Sequence, residues 1–299
     1  CLRHGALPPV GGGACAGLWT RLAAPRPYPS LGAGFDADAD LAGYSYDALA
    51  RLGAGGPHAA LVATDVARTP LSRILEDEEA RADAFRPAVA RLCLAAAAKR
   101  PSVGYCQGLD YVAAFCLKGA AFDEARAHVL LDALLDDLGL RGLIQPGLPL
   151  LKRRCLELRL LAAARCPRLA ERLRRQGVGL EMFAAAWFQT LFVYAAAVPR
   201  DAVARLWTLL LFERHWKAAH RLALAALVRL EPLLLETCER PPETLDLLAG
   251  VARGGGAAGA ALSVDDLAAR ACDVKVTRSM LDTVAAGLAA VAGDGESFA

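Results

Sequence analysis

An all-α fold follows from three features of this 299-residue chain. Apolar residues recur at helical spacing along most of its length, alternating strand patterns are nearly absent, and the strong helix formers Ala, Leu and Arg dominate from Asp77 onward. With 55% hydrophobic residues the chain can bury a large core, in one domain or two lobes.

The spacing i, i+3, i+4, i+7 is kept by Val89, Leu92, Cys93 and Ala96, then by Leu109, Val112, Ala113 and Cys116. It returns in Val203, Leu206, Trp207 and Leu210. Helix breaks are predicted at Pro101, Pro146, Pro167, Pro199 and Pro241, because proline lacks the amide proton and crowds the preceding turn. The helices have unequal lengths and no fixed period, which disfavours a repeat array. Residues 182–198 carry no charge, but the run is shorter than the ~20 residues of a membrane span. It is predicted as one buried helix with Phe183, Trp187, Leu191 and Tyr194 on a single stripe. Residues 21–47, rich in Pro, Gly and Asp, and 252–260, rich in Gly and Ala, are predicted loops.

Charge and composition narrow the function classes. With 34 basic against 32 acidic residues the net charge is +2, which leaves no chain-wide positive field to favour a nucleic-acid partner. Nine cysteines, an odd number without a CxxC pair, read as reduced intracellular thiols. Five histidines form neither HExxH nor a zinc-like cluster, so no metal site is expected. Asp36, Asp38, Asp40 and Asp47 have calcium-loop spacing, yet Leu41 stands where the sharp turn needs glycine; the segment reads as a solvated acidic loop. The chain opens at Cys1 with no methionine or signal peptide, which is compatible with a piece of a longer protein. Residues 152–175 carry nine basic side chains against Glu157 and Glu171. They read as a solvated helix face with Leu156, Leu160 and Leu161 turned inward, or as a surface for an acidic membrane or protein.

Candidate chemistry centres on the segment "GYCQG", residues 104–108. No motif links an imidazole to Cys106, so a thiolate nucleophile is disfavoured. The Gln107 amide both donates and accepts hydrogen bonds, which suits it to orienting an attacking water. Gly104 and Gly108 allow a tight backbone turn and close approach to a partner. A matching cation stands at Arg68. Thr64 or Asp65 is predicted to cap a short turn that ends when Pro70 pushes Thr69 out of the α region, leaving Arg68 at an exposed end. A planar guanidinium there can reach the phosphates of a bound nucleotide.

These residues resemble the TBC domain of Rab GTPase-activating proteins. Val62, Asp65 and Arg68 match its IxxDxxR motif, and Tyr105 and Gln107 its YQ motif. "HGALP…LW" (4–19) is similar to the family's opening helix, "AWFQTLF" and "RLW" to its later motifs, and residues 262–282 to helices that close some members. Three features depart: Thr208 follows "RLW" where aspartate is usual, "QGLD" with Leu109 and Asp110 replaces "QGMN", and a glycine-rich stretch stands where an arginine is common.

The resemblance implies a two-lobed, V-shaped helical domain with its core in residues 1–236, completed or extended by helices in 237–299. It implies a GTP-loaded Rab as partner, with Arg68 neutralising the transferring phosphoryl group and Gln107 orienting the water. Asp65 would hold Arg68 or its loop, Tyr105 would position the glutamine, and Gly104, Gly108 and Thr69 would support the loops. Nucleotide and magnesium would belong to the partner, since the chain has no GxxxxGK[ST] and needs no cofactor of its own. A cytoplasmic place in vesicle trafficking, peripheral on endomembranes through residues 152–175, is implied as well. The alternative is a non-catalytic helical scaffold that binds a small GTPase or an adaptor.

Overall fold

The computed structural model describes residues 13–23, 44–76, 79–195, 198–253, 267, 270–271, 273–277 and 279–284. Among the described residues there is no β-strand. The first helices are α1 (Gly13–Ala23), α2 (Tyr46–Ala54), α3 (Ala59–Arg68), α4 (Leu71–Leu75), α5 (Glu79–Asp83), α6 (Arg86–Lys99), α7 (Leu109–Gly119) and α8 (Glu124–Asp132). A π-helical turn (Ala133–Asp137) leads to α9 (Arg141–Ile144), α10 (Pro149–Arg165), α11 (Pro167–Gln176), α12 (Glu181–Gln189), α13 (Arg200–Glu213), α14 (Lys217–Thr237) and α15 (Pro241–Arg253).

Packing divides these helices into two groups. α2 to α8 pack among themselves, with α2, α3 and α7 all against α6; α9 to α12 pack with α14 and α15. α1 lies on α7 and α8 and also on α13, which itself packs on α14, so the α1–α13 contact joins the groups. Three buried rings carry that junction. Trp19 of α1 stacks on Trp207 of α13 at 5.7 Å, and Phe115 of α7 meets Trp207 edge-on at 4.8 Å. Thr208, in the position where the family usually has aspartate, accepts the Trp19 indole N–H at 3.0 Å and donates to the Ala204 carbonyl at 2.9 Å. A hydroxyl thus does the polar work at this buried junction without bringing a charge into it.

The predicted stripes of α6, α7 and α13 are buried as expected, and one apolar core runs through both groups. Breaks also fall as expected: Pro101 lies in the turn after α6, Pro167 and Pro241 start α11 and α15, and Pro199 precedes α13.

Several expectations are corrected. Residues 182–198 are not one helix: α12 ends at Gln189, Leu191 and Phe192 take φ of +46° and +67°, and Met182 is 59% exposed. Side chains of α13 take carbonyls there that a continuous helix would use in its own ladder. The Trp207 indole donates to the Leu191 carbonyl at 3.1 Å, and Arg200 donates to the Val193 carbonyl at 2.8 Å. Only Phe183 and Trp187 of the predicted stripe lie on α12. The basic stretch 152–175 is two helices, α10 and α11, broken at Cys166. Leu161 is buried there, whereas Leu160 points outward at 46% exposure, because α10 turns its buried face along Leu151, Cys155, Leu158 and Leu161. Of the predicted loops, residues 21–23 belong to α1, 46–47 to α2 and 252–253 to α15; 24–43 and 254–260 lie outside the described residues. Asp36, Asp38 and Asp40, the start of the "HGALP" segment and much of 262–282 also lie outside them.

Candidate functional site

Arg68 is the last residue of α3, and its side chain is 65% exposed. Thr69 is extended (φ −63°, ψ 127°), as expected of a residue before proline, so the helix stops and the guanidinium stands at its rim. The expected capping role of Thr64 or Asp65 is not found. α3 is ten residues long and begins at Ala59, Thr64 donates to the Ala60 carbonyl, and Asp65 sits in the last turn. From there, at 4% exposure, Asp65 pairs with Arg68 at 2.5 Å. The i, i+3 spacing of a helix brings the two together, a relation available only because the helix is longer than the predicted turn.

Arg86, the first residue of α6, closes this helix end from outside. It donates to the carbonyls of Val66 and, at 3.0 Å, of Thr69, and pairs with Asp83 at 2.6 Å. A cation on the last carbonyls of a helix satisfies acceptors that otherwise lack partners.

The second segment runs from Arg100 to Gly108. Arg100 is 2% exposed and held by Asp132 and Asp136 at 2.6 Å each, so the loop leaves α6 from a fixed post. Its carbonyl accepts the Val103 and Gly104 amides. Gly104 and Gly108 have φ of +66° and +104°, the left-handed region that favours glycine. At Gly104 a Cβ would overlap the His58 imidazole; at Gly108 it would lie 3.3 Å from the Thr190 methyl, so the broken end of α12 backs this loop. Gln107, between these glycines, is exposed.

Buried polar groups join the two segments. The Tyr105 hydroxyl donates to Asp65 Oδ2 at 3.1 Å, while Asp65 Oδ1 holds Arg68. Asp110, 2% exposed, accepts from Thr69 Oγ1 at 2.6 Å and from the Gly108 amide at 2.9 Å. Burial, Cys93 and the carboxylates of Asp110 and Asp65 raise the Tyr105 pKa far above its ordinary value, so the hydroxyl keeps its proton as a donor. Half-buried Tyr111 packs edge-on against Tyr194 at 5.3 Å; burial and Asp110 push its hydroxyl up to about 12 against the pull of Arg73 and Arg68. Burial followed by Asp65 and Asp110 also raises the Cys106 thiol, which disfavours a thiolate nucleophile.

Hydrogen bonds therefore link Arg68, Asp65, Thr69, Tyr105 and Gly108 of the predicted site, while Gly104 and exposed Gln107 join them as members of the same short segment. Sequence reasoning missed Asp110, Arg86 and Arg100. Asp110 had a signal in the departure "QGLD"; Arg86 and Arg100 had none beyond their places at the two ends of α6. Chemically, the surface offers a guanidinium and a primary amide on short, braced segments, suited to stabilising and orienting groups on an anionic partner. Among the described residues no group of three or more His, Cys, Asp or Glu side chains could hold a metal ion, and no helix is long and apolar enough to cross a membrane.

Comparison with known proteins agrees with this layout. Growth hormone-regulated TBC protein 6 of Caenorhabditis elegans is 30% identical over 207 residues, 69% of this chain and 59% of that protein. GTPase-activating protein GYP5 of Saccharomyces cerevisiae is 35% identical over 113 residues, 38% of this chain and 12% of that protein. The chain thus spans less than two thirds of either relative. The crystal structure of the Chlamydomonas flagellar RabGAP TBC domain superposes with a TM-score of 0.67 at 22% identity, covering 91% of this chain and 82% of that one, a likeness of fold. The model of the RabGAP-TBC family, the Rab-GTPase-TBC domain, matches residues 52–235. Because that match takes in more than half of the sequence, the chain belongs to the RabGAP-TBC family.

Proposed function

We propose that the chain is a GTPase-activating protein for a Rab-type small GTPase, and that it supplies Arg68 and Gln107 in trans to the partner's bound GTP. The observation that carries the reading is the link through Asp65. One carboxylate oxygen holds Arg68 and the other holds Tyr105, two residues before Gln107, while Arg68 and Gln107 themselves remain exposed. The two segments that carry these side chains are thereby set in one frame before any partner arrives, and preorganisation of this kind favours transition-state stabilisation. Arg68 would neutralise charge developing on the transferring γ-phosphoryl group. Gln107 would orient the attacking water, a task in which the amide donates to one oxygen and accepts from the other.

Single-turnover GTP hydrolysis across purified GTP-loaded Rabs tests this, with wild type beside two Arg68 variants. Arg68→Ala should lower the accelerated rate by ~10³-fold or more, and Arg68→Lys should fail nearly as badly because an ammonium lacks the planar fork. Gln107→Ala should also disable turnover. Binding of a GTP-loaded GTPase without acceleration would establish the scaffold reading instead, and near-normal activity of Arg68→Lys would remove the finger assignment.

A peripheral membrane position is supported by Lys152, Arg159, Arg165 and Arg168, which are exposed on α10 and α11 and have no carboxylate partner among the described residues. Binding to anionic vesicles that falls steeply with salt checks it.

A further inference from the structure

Asp110 divides its two oxygens between two segments of the chain. Oδ2 accepts the Thr69 hydroxyl at 2.6 Å and Oδ1 accepts the Gly108 amide at 2.9 Å. Thr69 directly follows Arg68, and Gly108 directly follows Gln107. A single buried carboxylate therefore ties together the residues next to both exposed side chains. We propose that Asp110 is a positioning residue for GTPase activation, fixing the end of α3 against the Gln107 loop through Thr69 and Gly108. The inference rests on the Rab-GAP reading and adds a residue to it.

The bond to Gly108 alone would make Asp110 a helix cap. Asp110 is the second residue of α7, and a side chain reaching back to the N-cap amide satisfies one of the donors that every helix start leaves open. Its other oxygen has no such local use, since Thr69 lies 41 positions away at the end of a different helix. The Thr69 hydroxyl has one proton and two acceptors in range, the Asp65 carbonyl at 3.0 Å and Asp110 at 2.6 Å. The carboxylate gives the shorter and stronger bond.

Tyr105 completes the division of roles. Its hydroxyl lies 3.1 Å from Asp65 Oδ2 and 3.4 Å from Asp110 Oδ1, so its proton goes to Asp65. Asp65 joins the Arg68 side chain to Tyr105, whereas Asp110 joins the backbones that carry both fingers. Replacement of Asp110 by asparagine can keep this geometry without charge. The amide group would donate to Thr69 Oγ1, the hydroxyl would turn its proton to the Asp65 carbonyl, and Oδ1 would still accept from Gly108.

The test is steady-state and single-turnover hydrolysis with the GTP-loaded Rab that wild type accelerates, together with thermal unfolding of each variant. Thr69→Val is the decisive substitution, because it leaves the Asp110–Gly108 cap intact while removing the hydroxyl that reaches Asp110 from the end of α3. A misplacement on the order of 1 Å predicts a fall in kcat of about 10²-fold for Asp110→Ala and Thr69→Val, with KM changed by less than about threefold. Asp110→Asn and Thr69→Ser should recover most of that loss. A Thr69→Val protein with wild-type kcat overturns the proposal and leaves Asp110 a helix cap; should Asp110→Ala not fold, Thr69→Val carries the test alone. If wild type accelerates no Rab, the Rab-GAP reading fails and the positioning role falls with it. An active wild type with a silent Thr69→Val overturns the positioning role only.

Discussion

Glu157 offers a stability prediction remote in kind from the proposed GTPase activation. It is 0% exposed on α10, accepts from Arg153 Nε at 3.0 Å and from Arg154 Nη1, and lies 3.1 Å from His220 Nε2 on α14. The same His220 ring bonds at its other nitrogen, Nδ1, with the Trp216 carbonyl at 3.0 Å. Arg154, its side chain 9% exposed, otherwise rests over the Trp216 ring at 5.3 Å. Glu157→Ala removes the carboxylate and leaves this guanidinium buried, whereas Arg153, 39% exposed, can turn to water. Stranding one buried charge costs ~3 to 5 kcal/mol, against ~0.5 kcal/mol for losing the half-exposed Arg153, since Glu157 keeps its bond to Arg154. The α10–α14 packing should therefore weaken enough to lower Tm by about 10 °C in Glu157→Ala and by about 2 °C or less in Arg153→Ala.

Thermal unfolding followed by far-UV circular dichroism at neutral pH reads both variants. A Glu157→Ala shift no larger than that of Arg153→Ala would refute the reasoning. The pH dependence gives a second check. Burial pushes the Glu157 carboxyl up, but His220, Arg154 and Arg153 together outweigh it and hold it below the usual carboxylate range. A depressed folded pKa contributes stability that is complete above the unfolded value of about 4.3 and is lost as pH falls through the folded value. Glu157→Gln should therefore flatten part of the acid limb of the stability curve.

Two more predictions concern the Gln107 loop and the α1–α13 junction. Gly104→Ala places a Cβ against the His58 imidazole at a φ of +66°, so it should cost at least ~1 to 2 kcal/mol in denaturant unfolding and reduce GTPase activation by shifting the Gln107 loop. Thr208→Val strands the buried Trp19 indole N–H and should cost about 1 to 3 kcal/mol, with the wild-type rate retained at temperatures where the variant is folded.

Much of the candidate site was legible locally. Pro70 sets the extended Thr69 and hence the exposed end at Arg68, and the "GYCQG" glycines do adopt the positive φ that their spacing suggested. Asp65 was misread as a cap because its role depends on where α3 begins, and no capping residue marks that start: His58 makes no side-chain cap bond. Leu160 was misplaced because a helix so rich in arginine and leucine has no sharp apolar face to read.

The sequence by itself determined the helical class, the buried stripes of α6, α7 and α13, and the exposed end of α3 at Arg68. Burial follows the 3.6-residue period, and that period is written in neighbouring residues. Tertiary structure alone decided where α12 stops and which groups the buried carboxylates Asp65 and Asp110 hold. Trp207 reaches back 16 positions to Leu191, Tyr105 reaches 40 to Asp65, and Thr69 and Asp110 meet across 41. Buried polar groups must find partners wherever packing places them, and no local pattern encodes a partner so far along the chain.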